Sequence, residues 1–156
     1  MRAKLPKGRG TWPAFWLLSA KRPMQWPLFG EIDIMEAVGY ETSPIIHGTI
    51  HCQSFYGANG KGSTTPIVDP YNTFHTYKAD WNSQRIKFYV DDKLYFTYAN
   101  DNTGNVNTWP FNEPVNIILN NAVGGDWGGA KGVDDSVFPA QYTIDYIRQY
   151  APNKNP

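Results

Sequence analysis

The sequence predicts an all-β fold, an antiparallel β-sandwich, on three observations. Amphipathic helical periodicity is nearly absent, whereas strand-like runs recur between turn signals along the chain. The composition is rich in aromatic residues, with 6 Trp, 10 Tyr and 8 Phe, and 14 Gly and 12 Pro accompany them. Aromatic side chains pack well on pleated surfaces, while Gly and Pro shape the turns between strands. A length of 156 residues fits a single domain spanning 1–156.

The first half of the chain divides into three strands and one long loop. Residues 12–19 form an apolar run that predicts a buried strand, and 31–38 and 45–52 follow as the second and third strands. The Gly/Ser/Thr-rich segment 54–70 is expected to be a loop. Loops of that length are usually either functional or mobile.

A three-strand meander follows the loop. Residues 74–82 and 85–98 supply its strands, because apolar and polar positions alternate through both segments. The Asp91-Asp92 pair is expected to close the second hairpin.

Two further strands complete the predicted sandwich. Residues 114–125 are expected to form a central strand that is buried on both faces at 117–119. Residues 142–150 are expected to form the closing strand, followed by a polar tail.

Charge and hydropathy exclude several classes of partner. The 14 basic and 14 acidic residues balance to a net charge of zero, so neither nucleic acid nor a charged membrane surface is an expected partner. The apolar stretch Ala14–Leu18 is too short to cross a membrane, and no three-part secretory signal is present. Cys52 is the single cysteine, which rules out an intrachain disulfide. It is expected to be a buried strand residue rather than a catalytic thiol.

The segment EIDIME, residues 31–36, carries three carboxylates inside an apolar strand. Glu31 and Asp33 share one face because strand side chains alternate, but the same count would turn Glu36 into the core. An unpaired buried charge costs several kcal/mol. A β-bulge at Ile34-Met35 removes the conflict, because one extra residue returns Glu36 to the face of the other two acids.

Three carboxylates on one face repel and raise one another's pKa, which favours a functional role. A metal site is one interpretation, although acids along a single strand do not wrap a cation. A solvated acidic edge is another. Paired-carboxylate glycoside hydrolysis is the third, and it is favoured because Trp26 and Phe29 flank the acids and sugar rings stack on flat side chains. Such enzymes hold two carboxyl groups about 5–5.5 Å apart for retention or about 6.5–9.5 Å for inversion.

GEIDIME, preceded by GTWPAFWLL and followed by HGTIH, resembles the catalytic signature of glycoside hydrolase family 16. The resemblance continues through FHTYKADW, RIKFYVDD, NTWPFNEPVNIILNNAVGG and TIDYIRQY, so it covers nearly the whole chain. It implies a jelly-roll, concanavalin-like β-sandwich. The extra Met35 is similar to the bulged form found in laminarinases, which are endo-β-1,3-glucanases, and in some agarases and carrageenases.

The resemblance implies roles for individual residues. Glu31 matches the nucleophile, Glu36 the general acid/base, and Asp33 the assisting carboxylate. His47 and His75 are left as structural. The implied substrate-binding residues are Trp12, Trp16, Trp26, His51, Asn121 and Trp127. Asp145 matches a position that helps bind a structural calcium ion in many members, and no cofactor is implied for catalysis.

The implied function is retaining hydrolysis of β-1,3-glucan by two carboxylates. Two alternatives stay open: a non-catalytic β-glucan-binding sandwich, and a hydrolase acting on mixed-linkage glucan, agarose or carrageenan. The family domain is longer, and this chain starts at a point that corresponds to mid-sheet, so a partial domain without its N-terminal strands is expected. Its open strand edges predict a homo-oligomer or pairing with a complementary fragment. The parent protein is expected to be secreted or extracellular.

Overall fold

The computed structural model describes residues 1–151, so the end of the predicted polar tail, 152–156, lies outside the described residues. Ten strands and two short 3₁₀ helices make up the regular structure of these described residues. The strands are β1 (Arg2–Lys4), β2 (Thr11–Ser19), β3 (Glu31–Glu36), β4 (Ile45–His51), β5 (Lys61–Pro66), β6 (His75–Asn82), β7 (Arg85–Val90), β8 (Lys93–Ala99), β9 (Val115–Val123) and β10 (Thr143–Tyr146), and the 3₁₀ helices span Gly57–Asn59 and Asp135–Val137.

The strands form two five-stranded sheets, which confirms the predicted all-β sandwich. The first sheet has the order β10-β1-β6-β7-β8, and the second has the order β5-β4-β3-β2-β9. Every pairing is antiparallel. The predicted meander is confirmed as β6-β7-β8, and Asp91 and Asp92 both adopt positive φ (48° and 64°) in its tight second turn. No helix of the described chain is long and apolar enough to cross a membrane.

The core lies between the inner faces of the two sheets. The second sheet contributes the inward residues of β3 and β4, and the first sheet faces them with Tyr77, Ile86 and Phe88, all fully buried. Because side chains alternate along each strand, this inner packing leaves the other face of β2 and β3 free for polar groups.

Three predictions about strands are wrong. The segment 54–70 is not a continuous loop, because β5 lies within it and pairs with the edge of β4. The strand β9 is not central and is not buried on both faces, because within residues 1–151 its only neighbour is β2, and Ile117 is 43% exposed. The closing strand is also shorter than expected, since β10 covers only Thr143–Tyr146.

Cys52 lies just beyond β4 and is fully buried. Its backbone exchanges two hydrogen bonds with Phe55 (2.8 and 3.0 Å), which close a tight turn at the start of the segment 52–60. Burial raises the pKa of its thiol. The thiol is therefore held in the core rather than presented as a nucleophile.

Candidate active site

The predicted bulge in β3 is confirmed, and it sets the positions of the three acids. Against β2, Trp16 pairs with Asp33 and the next residue back, Phe15, pairs with Met35, so Ile34 is the extra residue. The register with β4 shifts over the same stretch, between Asp33 and Glu36. Ile34 and Met35 are both buried in the core (4% and 0% exposed), which returns Glu36 to the outer face.

The opposite sheet supports the bulge through a residue that the sequence did not single out. The hydroxyl of Tyr95, on β8, crosses the core and donates to the backbone carbonyl of Ile34 at 3.3 Å. Gly48 leaves the space for it, because a Cβ at this position would lie 2.3 Å from the Tyr95 hydroxyl oxygen. A bulge carbonyl left without its regular ladder partner is thus satisfied from the other sheet.

The acids line a groove on the outer face of the second sheet. The groove has a volume of about 200 Å³ and its lining comes from β2, β3 and β9, namely Trp12, Ala14, Trp16, Glu31, Asp33, Glu36, Asn120 and Ala122. A second cavity of about 10 Å³, between Leu5 and Tyr71, has room for about one water only. The groove is therefore the space in which a sugar can meet the carboxylates.

A tryptophan donates a hydrogen bond to each outer acid. Trp26 Nε1 donates to Glu31 Oε2 at 2.8 Å, and Trp12 Nε1 donates to Glu36 Oε1 at 3.0 Å. These bonds leave one oxygen of each carboxyl group for other partners, and they fix the orientation of both side chains. The predicted site residues Trp12 and Trp26 are thus brought directly against the acids.

Two histidines lie across from the acids on β4. His51 pairs with Glu31 and His47 pairs with Glu36 in the strand register. His51 Nε2 lies 3.1 Å from Asp33 Oδ2, although this contact lacks hydrogen-bond alignment and Asp33 Oδ2 has no hydrogen-bond partner among the described residues. His47 lies across from Glu36, and its Nε2 is 3.1 Å from Glu41 Oε1, so its ring also has a partner outside the groove. Its structural role stays a prediction.

Burial dominates the electrostatics of the site. Desolvation, reinforced by repulsion from Asp33, raises the pKa of Glu31 to about 7. Desolvation and the charge of Glu36 raise the pKa of Asp33 well above its usual range, and only 3% of Asp33 is exposed. Desolvation also raises the pKa of Glu36, and the hydrogen bond from Trp12 opposes that shift. The site therefore holds protons at pH values where exposed carboxyl groups have lost them.

The structure places the remaining aromatic candidates around the same groove. Trp16 lines it and donates from Nε1 to Asn120 Oδ1 at 2.8 Å. Trp127 packs edge-on against Trp12 and His47, with ring centroids 5.5 and 4.8 Å apart. It therefore extends the aromatic surface at the Glu36 end of the groove.

Asn121 does not face the groove, contrary to its expected position on the far side of the cleft. Its Oδ1 accepts a hydrogen bond from the Trp12 backbone N–H at 3.2 Å. The strand register explains the difference: Ala14 of the groove pairs with Asn120, so alternation turns Asn121 to the opposite face. Asn120 is the groove residue at this place.

Asp145, which is predicted to help bind calcium, forms an ion pair with Arg2: its Oδ2 lies 2.6 Å from Arg2 Nη1. Its calcium role stays a prediction. Within the described residues, the one group of possible ligands that come within 4.8 Å of one another is Glu31, Asp33 and His51. Those three atoms are fewer than the six to eight oxygen ligands that Ca²⁺ prefers, and they belong to the groove.

Several known proteins are similar to nearly the whole of this chain. The beta-glucanase of Rhodothermus marinus is 42% identical over 96% of this chain. The keratan-sulfate endo-1,4-beta-galactosidase of Sphingobacterium multivorum is 40% identical over 96% of it. The crystal structure of the laminarinase from Rhodothermus marinus superimposes on 92% of the chain with a TM-score of 0.87 and 39% identity.

The chain spans 55% and 35% of the lengths of these two relatives, and 61% of the solved laminarinase chain. A sequence model of the glycosyl hydrolases family 16 matches residues 1–148, which include both sheets and the whole groove. The chain therefore belongs to glycosyl hydrolases family 16.

Proposed function

We propose that this chain carries the catalytic groove of a retaining endo-β-1,3-glucanase. The observation that carries the proposal is the bulged strand β3, which presents Glu31, Asp33 and Glu36 together in a groove lined by tryptophans. Similarity to the Rhodothermus marinus laminarinase supports β-1,3-glucan as the substrate.

The proposed reaction has two displacements. In the first, Glu31 attacks the anomeric carbon while Glu36 donates its proton to the departing glycosidic oxygen, which leaves a glycosyl ester on Glu31. In the second, Glu36 takes a proton from water, the water oxygen attacks the anomeric carbon, and Glu31 leaves as a carboxylate. Two inversions restore the original β configuration.

Asp33 can keep Glu31 ionised, as the first displacement requires. Glu31 must be ionised to attack, yet burial and its neighbours raise its pKa to about 7. Desolvation also raises the pKa of Asp33 well above its usual range, and its carboxyl group lies within 4.8 Å of Glu31, so the two acids can share one proton. A protonated Asp33 can donate to the Glu31 carboxylate and stabilise it without adding a second charge.

Hydrolysis of laminarin tests the proposal. The chain is expected to release reducing ends from laminarin, and proton NMR of the first products is expected to show the β-anomer before mutarotation. Lichenan, agarose and carrageenan serve as comparison substrates in the same assay. An initial α-anomer would contradict the retaining mechanism, and a faster reaction on a galactan would contradict the β-1,3-glucan assignment.

A second candidate function is non-catalytic binding of β-glucan. It is favoured by the free edge of β9, which leaves the groove with no neighbouring strand beyond Asn120 and Ala122 within the described residues. Retention of the chain on a laminarin matrix without any release of reducing ends would support this candidate over the hydrolase.

We also propose that a second copy of the isolated chain covers the β9 edge. The nine residues of β9 contain no charge and no proline, and Ile117 and Val123 are 43% and 57% exposed. An uncharged, regular edge is a template for adding a strand. In the other sheet β10 is also a free edge, and Ile144 there is 40% exposed.

Light scattering is expected to give a mass above the 17.7 kDa of the single chain. Ile117→Lys is expected to restore the monomer, because a charge on the edge opposes strand addition. Leu94→Lys, at the free edge of β8, is the matched control and should leave the mass unchanged. A parent chain that is already monomeric would contradict self-association.

A further inference from the structure

An aromatic corner stands beside Glu31, outside the volume of the groove. Trp26 and Tyr56 pack edge-on with ring centroids 5.5 Å apart and ring planes 80° apart. Trp26 is 48% exposed and Tyr56 is 47% exposed, although large aromatic side chains usually lose most of their exposed surface on folding. Since Trp26 donates to Glu31 Oε2, the corner adjoins the reacting acid.

The backbone holds Tyr56 in place. The two hydrogen bonds between Cys52 and Phe55 fix the turn before it, and the Phe55 ring packs on Tyr98 in the core (5.6 Å between centroids). After Tyr56, its carbonyl accepts from the Asn59 N–H at 3.1 Å. The segment therefore presents the tyrosine ring from an anchored turn rather than from a free loop.

Gly60 brings the same segment close to the site. A Cβ at Gly60 would lie 2.6 Å from His51 Cε1, so only glycine allows the chain to pass over this histidine. His51 in turn packs against Trp26, with ring centroids 6.2 Å apart. Tyr56, Trp26 and His51 thus form one packed group at the Glu31 end of the groove.

We infer that Tyr56 is a specificity-determining residue that selects β-1,3-linked over β-1,4-linked glucan. The inference rests on the proposed function for the groove itself. Consecutive rings of a β-1,4-glucan lie in a nearly flat ribbon, which cannot lie against two aromatic faces set 80° apart. A β-1,3 linkage turns the chain, so that one sugar meets Trp26 and its neighbour meets Tyr56.

Oligosaccharide binding tests the role of Tyr56 directly. Calorimetry on the Glu36→Gln background, where turnover is suppressed, compares laminarihexaose with cellohexaose. Tyr56→Ala is expected to weaken laminarihexaose binding by about 5- to 10-fold, the size of effect typical of an aromatic contact, and to change cellohexaose binding by less than about 2-fold. Tyr56→Phe is expected to bind like the parent, because the ring face and not the hydroxyl makes the contact.

Tyr150, which is 78% exposed after β10, provides the matched control, and Tyr150→Ala should bind both oligosaccharides normally. Equal losses for the two oligosaccharides, or no loss for laminarihexaose, would overturn the selection by Tyr56. Failure of the parent to hydrolyse laminarin, with the Tyr56 effect on binding intact, would refute only the proposed hydrolase. Failure of the parent to bind laminarihexaose would overturn both the selective role of Tyr56 and the proposed hydrolase.

Discussion

Glu31→Gln is expected to lower kcat on laminarin by on the order of 10⁴-fold or more, because the amide cannot form the glycosyl ester. Glu36→Gln is expected to lower it by about 10²- to 10⁴-fold, the usual contribution of general acid–base catalysis. Reducing-sugar release measures both effects. Binding of laminarin is expected to survive in each variant, since glutamine keeps an acceptor for the tryptophan N–H that holds each side chain.

The two roles can be separated with azide and the alanine variants. In Glu31→Ala, azide can enter the vacated space and attack the anomeric carbon once, which gives the α-glycosyl azide. In Glu36→Ala, azide can attack the ester on Glu31 after the first displacement, which gives the β-glycosyl azide. Glu113→Gln is the matched control, because Glu113 is an exposed carboxylate paired with Lys21. Activity within tenfold of the parent in either glutamine variant would refute the assignment.

The free energy of unfolding is expected to fall as the pH rises from 5 to 7.5. Glu31 keeps its proton in the folded chain up to a pKa of about 7, whereas an unfolded glutamate releases it near 4.5. Between these values the native state binds more protons than the unfolded state, so raising the pH favours unfolding. For Glu31 alone the loss is about 2 kcal/mol over this interval.

Urea denaturation at the two pH values measures this loss. The raised pKa values of Asp33 and Glu36 act in the same direction. The free energy of unfolding of the parent chain should therefore fall by at least the amount expected for Glu31 alone. Glu31→Gln should show a smaller pH dependence, because the amide does not titrate, while Glu113→Gln should follow the parent. If the parent chain is equally stable or more stable at pH 7.5, these carboxyl groups are not buried in their protonated form.

Features encoded within one strand were predictable from the sequence, whereas those set by neighbouring strands were not. The bulge followed from the spacing of Glu31, Asp33 and Glu36, because burying the third acid would cost too much. The edge position of β9 did not, since a long apolar run looks the same whether one strand or two lie beside it. The strand β5 was missed because its polar residues, KGSTTP, show no apolar alternation.

Within the site, too, features of a single strand could be predicted from the sequence, and contacts between strands could not. His47 shares a face with His51 because the two lie four positions apart on one strand, and that signal was available in IIHGTIH. The choice between Asn120 and Asn121 depends on the register of β9 against β2, which no local pattern specifies. Tyr56 and Tyr95 reach the site from a turn and from the other sheet, so only the fold reveals them.

The lone cysteine gives this protein an internal reporter. Cys52 is fully buried at the base of the turn that presents Tyr56, and no other thiol competes for a reagent. A buried thiol reacts only in molecules whose surrounding segment has opened, so its alkylation rate measures how often the 52–60 segment opens. Stabilisation of the closed segment by a bound glucan can therefore be followed as slower alkylation, without attaching any label to the chain.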